Sequence, residues 1–279
     1  MPHRPVQAVA RLLRLTPDDT VFLEGGLGSQ LMGMMIYRLR KGEDPATRCD
    51  VSYFFPEIKE PQTTAGATRW PWELHRYGIS LQDEEFVRSP RYRLRRNYLG
   101  QAALDEPYAH HLAKHDWNSL FPVLPEAVAK AGDLDLLDGT GYAAVHVRRG
   151  DYLKVSSRVV TLEESLAVAT RLASLLPPRI LFLSDDEFTA DERTDVAARF
   201  LGRQCLFTSE SDQHIAHGLL RMSEVLVTSN STFSWTAALL STRDGALGVA
   251  PEHFFGQSMA AINNVFQGPS DWMLISRLG

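Results

Sequence analysis

The stretch Gly141-Tyr-Ala-Ala-Val-His-Val-Arg-Arg-Gly-Asp-Tyr152 decides the reading of this chain. Its first seven residues are largely apolar and read as a β-strand. Polarity then changes abruptly to His146-Val-Arg-Arg-Gly-Asp151. In open α/β sheets, ligands bind beyond the carboxyl ends of the strands. Arg148 and Arg149 would place fixed positive charge and forked donors there, a combination suited to phosphate oxygens. Asp151 can orient one guanidinium, and Gly150 lets the chain turn tightly. By itself the segment fits a surface ion pair equally well.

Working outward, strand-like runs alternate with helical patterns, which predicts an α/β fold with mostly parallel strands. Thr20–Glu24 reads as a strand, followed by a glycine-rich turn and a helix over Leu31–Leu39. Thr161 to Leu176 reads as a helix, opened by a capping box of Thr161 and Glu164 and stopped by Pro177-Pro178. Arg179–Ser184 and Glu224–Thr228 are two further strands, the second leading through a polar turn into a helix over Phe233–Leu240. Residues 44–139 are proline- and aromatic-rich with weak periodicity. The Gly132-to-Gly141 run, rich in aspartate and glycine, predicts a boundary between an acceptor-side domain, 1–138, and a nucleotide-binding domain, 139–279.

Three other segments carry possible chemistry. Thr228-Ser-Asn-Ser-Thr-Phe-Ser-Trp235 sets Ser229, Ser231 and Thr232 at a helix start, where hydroxyls and free N–H groups bind phosphate. Ordinary N-capping accounts for one of these hydroxyls. Gly25-Gly-Leu-Gly-Ser-Gln30 is only a partial dinucleotide fingerprint, since Leu31 stands where glycine or alanine is wanted. It marks a place where backbone must approach something closely. Ser184-Asp-Asp-Glu187 ends a strand in carboxylates; metal binding, ribose binding and a simple loop all fit, and loop acids are the commonest case.

The bulk properties narrow the field. With 279 residues, 44% of them hydrophobic, the chain can fill one large domain or two packed ones. A net charge of −5 provides no global basic field for nucleic acid, and the arginines at 91, 93, 95 and 96 read as a solvated face. Cys49 and Cys205 have no metal-ligand spacing and read as buried thiols. No apolar run matches a signal peptide or a membrane span, so a cytoplasmic protein is expected, with peripheral contact at the inner membrane left open.

Together the segments resemble the bacterial α-1,2-fucosyltransferases, glycosyltransferase family 11. The shared blocks are Gly25–Gln30, His146–Asp151, Phe182–Asp186, Ser229–Trp235, and Ala250-Pro251 with Phe254-Phe255, in the family's order; Asp271-Trp272 matches a further segment. The resemblance implies a GT-B-type fold, two Rossmann-like domains facing a cleft. It implies GDP-fucose as donor, inversion at the anomeric carbon and no required metal. It places Arg148 or Arg149 on the pyrophosphate and Asp185 or Asp186 near the nucleotide. His146 and Asp151 would shape the arginine loop, and Ser229, Ser231, Thr232 and Phe233 the phosphate side. Gly26, Gly28 and Gln30 would approach the donor from the first domain. The acceptor implied is a glycan hydroxyl, as in a lipid-linked O-antigen or capsule repeat. Ser29, Leu31–Ile36 and Thr236 depart from the family pattern, mainly on the acceptor side.

Inversion calls for a base on the acceptor hydroxyl, and Asp151, Glu24 and His146 are the candidates. Three other readings stay in view: a transferase for another GDP-sugar or linkage, a non-catalytic nucleotide-sugar-binding protein, and an NAD-dependent oxidoreductase. The last leaves the arginine and Ser/Thr segments unexplained.

Overall fold

In a computed structural model, the described residues are 20–55, 70–88, 112, 115–150, 160–251 and 273–275. They form two compact units, Met1–Tyr108 and Ala109–Gly279. The α/β class expected from the sequence is the one observed, and every strand pairing among the described residues is parallel.

The first unit carries strands β1 (Thr20–Phe22), β2 (Arg48–Asp50) and β3 (Phe86–Val87) in the order β1-β2-β3, with helix α1 (Leu27–Glu43) between the first two. Helix α1 begins inside the glycine run, four residues before its expected start. The first turn closes with the Gln30 N–H donating to the Gly26 carbonyl at 3.0 Å, so Gly28 is helical rather than part of a turn. Buried Leu27, Leu31, Met34 and Met35 make the packed stripe of this helix.

The second unit is a six-stranded sheet. Its strands are β4 (Ala143–Val147), β5 (Arg179–Ser184), β6 (Gln204–Thr208), β7 (Val225–Val227), β8 (Leu247–Pro251) and β9 (Met273–Ile275). Their order is β6-β5-β4-β7-β8-β9. The chain therefore builds outward from β4 on one side, returns, and builds outward on the other. Helices α2 (Pro125–Asp133), α3 (Leu162–Arg171), α4 (Ala190–Arg199), α5 (Gln213–Arg221) and α6 (Thr232–Leu239) cover both faces.

Strand alternation assigns each side chain to a face. Val145, Val147 and Phe182 pack with Leu166 and Ala169 of α3 and Val196 of α4. Ala144, Leu181, Leu183 and Leu226 pack with Ala127 and Ala131 of α2 and Leu219 and Leu220 of α5. Because both faces are covered, the central strands read as apolar runs instead of alternating ones.

Three local readings differ from the sequence expectation. Helix α3 has the expected capping box but stops at Arg171, and residues 173–175 continue as a 3₁₀ turn before Pro177. Cys49 is buried, whereas Cys205 is only half-buried because β6 is an edge strand; both thiols are free. The glycine run before β4 lies within a compact unit. Gly139 and Gly141 take φ of 92° and 70°, so it is a left-handed turn feeding the strand. Helix α2, before that run, belongs to the core of the second unit. The compact units thus divide at 108/109, and the 138/139 boundary remains an expectation about function.

Helices α2 and α5 meet at Gly218, where an added methyl would overlap the Ala127 side chain. Gly218→Val should overpack this contact and cost about 1–3 kcal/mol, seen as a lowered Tm in thermal denaturation. An unchanged Tm would show that the two helices separate without cost.

Candidate functional site

The reversal of strand order between β4 and β7 is a topological switch point, where doubly wound sheets open a crevice at the carboxyl edge. Register brings the strand ends level: Val147 lies opposite Ser184, and Val145 opposite both Phe182 and Val227. The residues that follow β4, β5 and β7 are therefore collected at one edge. They are Arg148 to Gly150, Asp185 to Glu187, and Thr228 to Thr232. Nine expected site residues come together here: His146, Arg148, Arg149, Asp185, Asp186, Ser229, Ser231, Thr232 and Phe233.

His146 spans the switch point. Its ring is buried, Nδ1 lies 2.9 Å from Ser229 Oγ, and the ring tilts against Phe233 at 5.5 Å between centroids. Burial, followed by the Arg148 charge, lowers its pKa to about 3. The imidazole is thus neutral and weakly basic, which suits a hydrogen-bonded bridge from β4 to the turn after β7 better than a general base. Behind Phe233, the buried His217 ring stands 5.2 Å away with Nε2 3.1 Å from Thr236 Oγ1. Burial again leads the causes that push His217 well below its ordinary value.

The paired arginines are held differently. Arg148 Nη1 lies 3.0 Å from Asp185 Oδ2. Arg149 turns to the start of α4, where Nη2 and Nη1 meet Glu192 Oε1 and Oε2 at 2.8 and 3.2 Å. Its Nη1 also donates to the Glu187 carbonyl at 3.1 Å, and its guanidinium lies 4.7 Å above the Phe188 ring.

Asp185 reaches under the arginine turn. Oδ1 accepts the Arg149 backbone N–H at 2.7 Å, and a side chain at Gly150, φ 36°, would collide with Oδ2. This explains the glycine: the turn closes directly onto a carboxylate. Asp185 thus shapes the loop, while Asp186 is exposed, with its N–H bonded to Ser184 Oγ at 3.2 Å.

At the start of α6, Ser231 is the N-cap, its Oγ accepting the Phe233 N–H at 3.3 Å. Ser229 is buried as the partner of His146, and its N–H donates to Ser234 Oγ at 3.2 Å. Thr232 and Phe233 are the half-buried members of the turn. The hydroxyl excess noted in the sequence thus has two uses: two serines stitch the turn, and Thr232 stands at the helix start.

Gly26, Gly28 and Gln30 belong to the first unit. The Gln30 side chain is fully buried and donates to the Gly25 and Pro71 carbonyls, both at 2.8 Å, while its Oε1 accepts the Glu73 N–H at 2.9 Å. It ties the glycine turn to residues 71–73. What Gly26 approaches closely is the Trp70 indole: a Cβ there would lie 3.4 Å from the ring. Of the base candidates, Glu24 is half-buried in the first unit, and Asp151 lies outside the described residues. The blocks at 254–255 and 271–272 and the basic residues at 91–96 lie outside them as well.

Glu192 and Phe188 were missed by the sequence reading. The signal for Glu192 was available, because Thr189 and Glu192, three residues apart, form a second capping box like that of Thr161 and Glu164. Among the described residues, no three His, Cys, Asp or Glu side chains gather as a metal-binding set, and no helix is long and apolar enough to cross a membrane.

No family model matches the chain, and no curated protein does. Among solved structures it is similar to NodZ α-1,6-fucosyltransferase soaked with GDP-fucose, at 15% identity over 79% of this chain and 91% of that one, TM-score 0.41. It is similar to POFUT1 in complex with GDP-fucose, at 13% identity over 93% and 98%, TM-score 0.41. In another POFUT1 structure, with GDP, the match spans 47% of that chain and 54% of this one, at 14% identity and TM-score 0.35. E. coli heptosyltransferase WaaC with ADP gives 14% identity over 92% of each chain, TM-score 0.40. All of these likenesses are distant.

The buried histidines set an expected pH dependence. The folded pKa of His146, about 3, and that of His217 lie below the ordinary 6.5. The unfolded chain therefore binds more protons, and stability is complete above pH ~6.5 and lost as pH falls toward the folded value. Each histidine should contribute a slope of up to ~1.4 kcal/mol per pH unit. Urea denaturation between pH 7.5 and 5 should show this loss, and His146→Gln should make it shallower by about one proton. Identical slopes would mean that His146 titrates in the folded chain as it does in the unfolded one.

Proposed function

We propose that the chain is an inverting glycosyltransferase of GT-B type that transfers L-fucose from GDP-fucose to a sugar hydroxyl, with α-1,2 linkage. The observation that carries this reading is the convergence of the arginine turn, the Asp185-Asp186 pair and the α6 start at the switch point of the second unit. The five ordered sequence blocks supply the sugar and the nucleotide.

In glycosyl transfer, the breaking bond leaves negative charge on the departing nucleoside diphosphate, and preorganised donors must receive it. Arg149 is engaged on three sides. Arg148, at the exit of β4 beside Asp185, is assigned to the pyrophosphate. It is backed by the N-terminal dipole of α6 and the Thr232 hydroxyl. Asp186 is assigned to the nucleotide side, and Arg149 and Asp185 to holding the turn. Asp151 remains the proposed base for the acceptor hydroxyl. A glycan such as an O-antigen or capsule repeat is the acceptor class implied by the sequence blocks, and a cytoplasmic location fits it.

Removing one such donor costs ~3 kcal/mol of transition-state stabilisation, roughly a hundredfold in rate. Calorimetric titration in EDTA should show binding of GDP and GDP-fucose in preference to UDP. Arg148→Ala should weaken it and lower the rate of GDP release from GDP-fucose by about a hundredfold while the chain stays folded. Arg148→Lys should rescue little, since it lacks the fork. Equal binding of UDP, or full activity in Arg148→Ala, would overturn the assignment.

A further inference from the structure

Glu192 is the third residue of α4 and serves two partners at once. Its Oε2 accepts the Thr189 N–H at 2.8 Å, closing the capping box that starts the helix. The same carboxylate takes the Arg149 guanidinium in a two-point fork, at 2.8 and 3.2 Å. Burial raises the Glu192 pKa, but the Thr189 N–H and Arg149 outweigh it, and the carboxyl sits below its ordinary range. An ionised group at this position is therefore stable.

The geometry around Arg149 leaves its side chain little freedom. The fork fixes the plane of the guanidinium, Phe188 lies against one face, and the Glu187 carbonyl takes a third hydrogen bond. The backbone of the same residue is held by Asp185. Arg149 is thus fastened at both ends, with its side chain anchored to α4 and its N–H to the end of β5. Arg148 and Gly150 are its immediate neighbours, so the position of the Arg148 backbone follows from that anchorage.

We propose that Glu192 is a positioning residue of the phosphate site, acting through its fork with Arg149 to hold the 148–150 turn in a binding-competent shape. The inference rests on the reading of that turn as the nucleoside-diphosphate site. Two paired charges are involved, so the sign of the effect separates positioning from simple electrostatics. Neutralising Glu192 adds net positive charge beside a proposed anion site. Charge alone then requires tighter binding of a diphosphate, and most strongly at low salt. Loss of position requires weaker binding.

The test is the Kd of GDP, measured by calorimetry in EDTA at low and moderate salt. Glu192→Gln should weaken GDP binding about tenfold, equivalent to ~1.4 kcal/mol, at both salt concentrations. In an Arg149→Ala background the same substitution should change the Kd no further, because Glu192 acts through that arginine. Thr189→Ala removes the hydroxyl cap but leaves the fork, and should lower Tm while leaving GDP affinity unchanged. Unchanged or tighter binding by Glu192→Gln, or an equal loss in Thr189→Ala, would overturn the proposal. A wild-type chain that takes up no GDP would overturn the phosphate-site reading and this inference with it. Normal wild-type binding with an unaffected Glu192→Gln would overturn this inference alone.

Discussion

An all-parallel sheet sends every strand out at the same edge, and the second unit depends on that constraint. With both faces of the sheet covered by helices, the only backbone left to turn freely is at the strand ends. The order β6-β5-β4-β7-β8-β9 adds a second condition, because the connections diverge between β4 and β7 and cannot cover that position. The arginine turn and the α6 start flank it. The bond between His146 and Ser229 spans it, from the end of β4 to the turn that follows β7. Burial keeps His146 neutral, so the bridge adds no charge of its own at the carboxyl edge.

Much of this was legible in the chain. The runs at 143–147, 179–184 and 225–227 are apolar because their strands are buried on both faces, and their polar exits carry the candidate chemistry. The Thr161–Glu164 capping box was readable because it is a local pattern that needs no tertiary partner. The limits are physical as well. Helix α2 could not be joined to the second unit from sequence, since its burial depends on a close approach to Gly218 about ninety residues later. The glycine run at 139–141 carried a boundary signal, although in the structure its positive φ angles serve a turn within one unit.

The site shows the same division. Residue types were sufficient to single out the arginine pair, the acids and the hydroxyl turn as candidates, but not to say which of them hold the turn. Arg148 and Arg149 are adjacent and chemically identical, and only the fold gives one to Asp185 and the other to Glu192. Gln30 in the first unit makes a similar point. A side chain that looks suited to a nucleotide has its amide committed to three backbone groups of its own unit.

The charge balance at the switch point constrains how an anion can be taken up. Two guanidinium groups face two carboxylates, so the resting site has no surplus positive charge from these four residues. Under the proposed function, a diphosphate would compete with a carboxylate for one of these arginines. The fork of Arg149 with Glu192 is two-pointed and backed by Phe188 and the Glu187 carbonyl, which makes it a hard pair to open. Asp185 would lose Arg148 in such an exchange yet keep the Arg149 N–H, so its carboxylate would stay hydrogen-bonded and the turn would keep its anchor. Under the proposed function, the two arginines would divide the work: Arg149 sets the turn, and Arg148 can change partners without dismantling it.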